Sequence, residues 1–267
     1  MRHLFTAALA LALAIALTFL SLPILAIFLR VSPGEIVDQL GGEVATEALL
    51  VTLRTSLIAN AVILLVGTPA AYLLATRRFR GRSLVITLVE LPLVLPPAVA
   101  GIGLLAAFGR LGLLGDELGA LGVSLPFTQA AVTVAVIFVA SPFYLRQAIA
   151  SFEAVDRSLI DAARTLGARP WRAFARVALP LAAGGLAAGW ALAFARGVGE
   201  FGATIIFAGN FEGVTQSLPL AIYAQFDRDF EAALAIGALL IVFSAALLLA
   251  VKLMPRWSRA LPQFTSS

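Results

Sequence analysis

The chain has no cysteine, a single histidine and a single lysine, and only 13% of its 267 residues are charged. Without cysteine there is no disulfide framework, no thiolate metal site and no cysteine nucleophile. His3 stands alone at the start of the chain, which excludes a paired-histidine zinc site and a Ser-His-Asp triad within it. Lys252 follows no glycine-rich loop, so the chain does not bind and split ATP through a phosphate-binding loop. The shortage of charge excludes most. A soluble domain carries about 25% charged residues; here 61% of residues are hydrophobic and the mean hydropathy is +0.99. Such a chain neither stays dispersed in water nor remains disordered. It reads as an integral membrane protein, and its pI near 10.3 as basic membrane loops rather than a nucleic-acid surface.

What the sequence has instead is long apolar runs. A bilayer core about 30 Å thick takes roughly 20 residues as helix. Stretches free of Asp, Glu, Lys and Arg cover 4–29, 55–76, 91–109, 118–145, 177–195 and 232–251. With Glu90 admitted to the third, and Arg196 and Glu200 to the fifth, the pattern predicts six spanning helices in one all-α domain, 1–267. The spans lie near 4–29, 54–76, 84–109, 126–145, 181–208 and 231–254. The runs are continuously apolar rather than alternating, which excludes a β-barrel. The first is too long for a cleaved leader, whose apolar region runs about 7–15 residues, and is expected to be retained. With the N-terminus inside, 14 of the 19 basic residues fall on the cytoplasmic side. That asymmetry predicts cytoplasmic N- and C-termini.

The longest inner segment, 146–180, reads as a helical hairpin. Asp156 can cap a first helix running through Leu159, Ile160, Ala162, Ala163 and Leu166, which Gly167 stops. A second begins near Pro170, presents Trp171, Phe174 and Val177 at helical spacing, and is expected to end at Leu179-Pro180. The physics leaves two readings open: a helix pair resting on anionic lipid headgroups, or a docking knob for another protein.

Asp161-Ala162-Ala163, Gly167, Val177 and Leu179-Pro180 resemble the EAA loop of ABC importer permeases, written EAA-x3-G-x9-I-x-LP. Asp replaces Glu at 161 and Val replaces Ile at 177. The resemblance implies that the hairpin is a coupling helix seated in a groove of a separate ATPase subunit. Closure of the ATPase pair would then move it and switch access between the two faces of the membrane.

The fifth span carries ionisable residues in Arg196-Gly197-Val198-Gly199-Glu200-Phe201-Gly202. Arg196 and Glu200, four apart, can pair on one helix face, and the glycines let another backbone approach. This is either a buried pair that fixes packing or a face lining a pathway between two copies of the chain. Pro92, Pro96 and Pro97 likewise either shape packing or form a hinge. Glu90 beside them needs a partner that the sequence does not name.

The stretch from Leu192 to Tyr223, with Gly199-Glu200-Phe201-Gly202-Ala203-Thr204, Ala208-Gly209-Asn210, Thr215-Gln216 and Leu218-Pro219-Leu220, is similar to the molybdate permeases of ABC importers. Sulfate and tungstate permeases are close relatives. Leu91 to Pro97 and Ser141-Pro142-Phe143 fit the same resemblance, which covers about 50–255. It implies the type I importer permease fold in a bacterial inner membrane, and a homodimer on two ATPase subunits that bind the ATP and magnesium. It also implies an extracytoplasmic oxyanion-binding protein as partner, and no cofactor, metal or catalytic residue in this chain. Arg196, Gly199, Glu200, Gly202, Thr204, Asn210, Thr215 and Gln216 are the expected pathway residues.

Overall fold

The computed structural model describes residues 2–253. Met254 of the sixth expected span, and Arg256 and Arg259 of the basic count, lie outside the described residues. Within those residues all regular structure is helical. Four stretches are long and apolar enough to cross a membrane: Leu4–Arg30, Glu43–Thr76, Gln129–Glu153 and Pro170–Val198. A fifth candidate, Arg82–Leu93 together with Pro97–Phe108, is bent by 112°.

The bundle centres on three helices, α3 (Glu43–Thr76), α7 (Gln129–Glu153) and α10 (Leu179–Val198), each packed on the other two. Their shared core is dominated by small residues. Ala59, Ala71, Ala140, Ala148, Ala178 and Ala193 are fully buried around Tyr144. Water does not drive helices together in lipid, so close approach through small side chains supplies the contact. Tyr144 meets Thr68 at 2.6 Å, and Thr68 is also 2.6 Å from the Leu64 carbonyl. Thr68 spends its one proton on that carbonyl, so the tyrosine hydroxyl is the donor between them.

The remaining helices flank this core. α1 (Arg2–Arg30) touches α13 (Phe230–Leu253), and none of its most apolar stretch is buried within the chain. α4 (Arg82–Glu90) leads through a 3₁₀ turn into α5 (Pro97–Phe108), which packs on α11 (Gly202–Phe207). α12 (Leu218–Phe226) pairs with α13. Leu57, Ile58, Leu65 and Val66 on α3 are exposed, as are Leu13, Leu17 and Leu20 on α1. An apolar exterior of this kind is what a bilayer covers.

Four sequence expectations change. The span expected at 84–109 is not one helix: Pro96 is extended (φ −55°, ψ 133°), and neither it nor Pro97 has an amide to continue the ladder. The span expected at 181–208 breaks after Val198, and α11 starts afresh at Gly202. The loop expected to begin at 146 begins later, because no glycine or proline stands between Arg146 and Glu153 and α7 runs on to Glu153. Leu179-Pro180 does not end the second hairpin helix either. Residues Phe174–Ala178 widen into a π turn, with the Leu179 amide bonding the Phe174 carbonyl, and the helix continues past Pro180 to Val198. A widened turn absorbs the hydrogen bond that the proline cannot make.

Candidate functional site

The hairpin starts at α8 (Arg157–Thr165). Asp156 accepts the Ser158 amide at 2.9 Å, and that backbone hydrogen bond holds its carboxyl below the ordinary value. At the other end Gly167 has φ +87°. Its amide bonds the Arg164 carbonyl and the Ala168 amide bonds the Ala163 carbonyl, both at 3.0 Å, which closes a Schellman motif. A Cβ on Gly167 would meet nothing within 4 Å, so the left-handed backbone, not crowding, favours glycine here.

Asp161, Ala162, Gly167 and Pro180 are exposed, while Ala163, Val177 and Leu179 are half-buried. Leu166 is 89% exposed and Trp171 63% exposed. The hairpin therefore presents apolar side chains among arginines, and it is braced from behind. Tyr72 of α3, Phe152 of α7 and Phe174 of the π turn form a ring cluster with centroids 4.7 to 6.1 Å apart. Arg157 donates to the Ala75 carbonyl at 3.4 Å. Arg82 donates to the Leu74 carbonyl at 2.6 Å and pairs with Glu153. The hairpin is thus joined to α3 and α7 by packed rings rather than hung on a slack loop.

Two further ion pairs mark the breaks in the spans. Arg196 Nη2 lies 2.7 Å from Glu200 Oε2, and the glutamate side chain is 1% exposed. The pair forms across the break after Val198, not along a continuous helix face. The other carboxylate oxygen accepts the Ala203 amide at 2.7 Å and so caps α11. The partner of Glu90 is Arg146 of α7, 3.6 Å away. Glu90 is the last residue before the turn that contains Pro92 and leads to Pro96 and Pro97.

Of the other expected pathway residues, Thr204, Thr215 and Gln216 are buried within the chain, Gly199 is exposed, and Gly202 and Asn210 are half-buried. Thr215 Oγ1 accepts the Phe211 amide at 3.0 Å, and Asn210 reaches the Leu220 carbonyl at 3.4 Å. Gly202 presses on Pro97, where a Cβ would stand 2.5 Å from the proline Cβ. The bend and the second break are therefore in contact. Among the described residues, no three His, Cys, Asp or Glu side chains gather to hold a metal ion.

Arg146 as the partner of Glu90, the Tyr72–Phe152–Phe174 cluster, and the close contacts of Gly185 and Gly189 with α7 are not among the sites the sequence marks. Gly185, Gly189, Ala193 and Gly197 recur every four residues, a register in which the stripe was readable. Nothing in the one-dimensional pattern brings Arg146 to Glu90.

The structure is thus a multi-span helical bundle with an exposed hairpin braced against its core. The chain belongs to the family of binding-protein-dependent transport system inner membrane components, whose model matches residues 63–259. Members are transport pathway components rather than catalysts on their own, the ATPase being a separate subunit. The chain is 43% identical over 242 residues to the molybdenum transport system permease protein ModB of Mycobacterium bovis, covering 88% of this chain and 89% of that one. It is 35% identical over 211 residues to the sulfate transport system permease protein CysW of Synechococcus elongatus, covering 77% and 74%. Its fold matches a chain of the bacterial alginate ABC transporter solved with a pentasaccharide-bound periplasmic protein. There the TM-score is 0.76 at 17% identity, with 95% and 94% of the two chains covered.

Proposed function

We propose that this chain is the permease subunit of a type I ABC importer for molybdate, in a bacterial inner membrane, with six spans and both termini cytoplasmic. Two copies form the pathway on two ATPase subunits that hold the ATP and magnesium, and an extracytoplasmic oxyanion-binding protein delivers the substrate. The observation that carries the substrate is the 43% identity, over nearly the whole chain, to a permease of molybdenum transport. The braced hairpin bearing Asp161, Ala162, Ala163, Gly167, Val177, Leu179 and Pro180 supports its role as the coupling element. The bend at Pro92, Pro96 and Pro97, in contact with the break at Gly199 to Gly202, supports a hinge beside the pathway. Arg196, Gly199, Glu200, Gly202, Thr204, Asn210, Thr215 and Gln216 are the pathway residues of this reading, with Thr204, Thr215 and Gln216 buried within the chain.

A sulfate permease is the second reading, favoured by the 35% identity to a sulfate transport permease. Uptake of trace labelled molybdate separates the two, in cells expressing the chain with its ATPase and binding-protein partners. Uptake that resists excess sulfate and is lost in Gly167→Asp supports the molybdate importer, and tungstate competition reports whether both ions are carried. Uptake abolished by sulfate moves the assignment to the sulfate relatives. Absence of molybdate uptake in the assembled complex overturns the substrate.

A further inference from the structure

Arg196 and Arg146, the arginines paired at the two breaks, differ in how completely they are held. Arg196 is bound to a buried carboxylate at 2.7 Å, and the other oxygen of that carboxylate is already committed to the Ala203 amide. It is a closed unit with little charge left to offer. Arg146 is held loosely, with its Nε 3.6 Å from Glu90 Oε1 and its side chain 71% exposed. Among the described residues it has no other polar partner, so most of its five N–H donors are free.

Arg146 also opens into a cavity. A space of about 450 Å³ is lined by Leu93, Phe143, Arg146, Gln147, Ala150 and Leu192, between the turn after Glu90, α7 and α10. That is room for a tetrahedral oxyanion and several waters, at about 30 Å³ per water. Its walls are apolar apart from Arg146 and Gln147. The space is open and Arg146 is largely exposed, so what it offers is geometry: the guanidinium fork matches two oxygens of a tetrahedral oxyanion.

We propose that Arg146, with Gln147 beside it, is the point in this cavity where a tetrahedral oxyanion is held during passage. Glu90 keeps the guanidinium in place when the cavity is empty. The proposal rests on the oxyanion-importer reading and deepens it by assigning a residue that the pathway residues named above do not include. Glu90 has a second consequence: the anion must displace it or share the arginine with it, so the hold is weak. A pathway needs a site of that kind, favourable enough to enter and weak enough to leave. The position beside the proline bend lets a change in the bend alter the distance between Glu90 and Arg146.

The chain contains no cysteine, which makes the test direct. Leu93→Cys is introduced into the assembled complex, and its alkylation by N-ethylmaleimide is timed in molybdate, tungstate, sulfate or chloride at matched ionic strength. The oxyanions are expected to slow labelling several-fold and chloride to leave it unchanged. Arg146→Gln abolishes the protection, Arg146→Lys restores part of it, and Glu90→Gln strengthens it. Equal labelling in all four salts, or protection that survives Arg146→Gln, overturns the proposal. If Leu93→Cys does not assemble, Ala150→Cys, which also lines the space, reports the same cavity. Parallel uptake assays separate the two levels of the argument. Protection without oxyanion uptake by the parent complex leaves the site standing and removes the substrate reading. Uptake without protection, and with an unaltered KM in Arg146→Gln, removes the site alone.

Discussion

Gly189 of α10 lies against Gln147 of α7 with no room for a side chain: a Cβ on it would stand 2.9 Å from the Gln147 Cβ and 3.4 Å from Tyr144 Cδ2. One turn pair further on, a Cβ on Gly197 would stand 2.7 Å from Val136 Cγ1. The α7–α10 contact is therefore set by what α10 lacks. Backbone-to-side-chain approach of this kind replaces the missing hydrophobic drive between helices in lipid.

Gly189→Ala is expected to lower the stability of the purified chain in detergent by about 1–3 kcal/mol, the usual cost of overpacking. Gly184, on the same helix, has nothing within 4 Å of the Cβ position, so Gly184→Ala should stay within about 0.5 kcal/mol of the parent. Thermal or denaturant unfolding of the two variants side by side is the measurement. Equal losses would place the constraint elsewhere.

The Arg196–Glu200 pair should behave as a buried pair whose halves need each other. Glu200→Ala strands the arginine and uncaps α11, at a cost of about 3–5 kcal/mol. Adding Arg196→Met to Glu200→Ala should recover part of that loss, because the uncompensated charge is gone. A double-mutant cycle on unfolding midpoints reads the coupling, and additive losses would mean that the two side chains act independently.

Gly167 is constrained by conformation alone. Gly167→Ala should cost about 1–2 kcal/mol at the left-handed position, whereas Gly167→Asn, whose side chain bonds locally, should cost less. Copurification of the ATPase with each variant is the readout. The order expected is glycine, then asparagine, then alanine, and an alanine variant that binds as well as the parent would remove the Schellman motif from the coupling argument.

Asp156 gives the hairpin a pH dependence with a definite sign. Its carboxyl titrates below the ordinary value because the ionised form accepts the Ser158 amide. The cap is fully present above that ordinary value and is lost as the pH falls through the lowered one. Hydrogen-exchange protection of the first turn of α8 should fall on acidification in the parent. In Asp156→Ser, which keeps an acceptor but does not titrate in this range, it should not. An identical acid response in both would assign the effect to another group.

The helical membrane character of the chain was legible because hydropathy is additive along a sequence: no arrangement of these residues hides so much apolar surface from water without a bilayer. The hairpin was legible because its signals are local. Asp156 caps the next turn, Gly167 reverses the one before it, and both act within five residues. The boundaries failed where a distant contact decides whether a helix continues. Pro180 read as a stop, yet the π turn at Phe174–Ala178, held by Tyr72 and Phe152, carries the helix through it.

Composition and local spacing thus determined by themselves that the chain is a helical membrane protein with a capped hairpin on one of its loops. Tertiary structure alone decided which charges are spent and which are free. Arg196 and Arg146 are alike as letters in apolar surroundings. One is closed off by a buried carboxylate that a helix break turns back toward it, and the other faces a cavity with a loosely held partner. That difference follows from the bend at Pro96 and Pro97 and from glycines that bring α10 onto α7, and distances between helices are not written in any one of them.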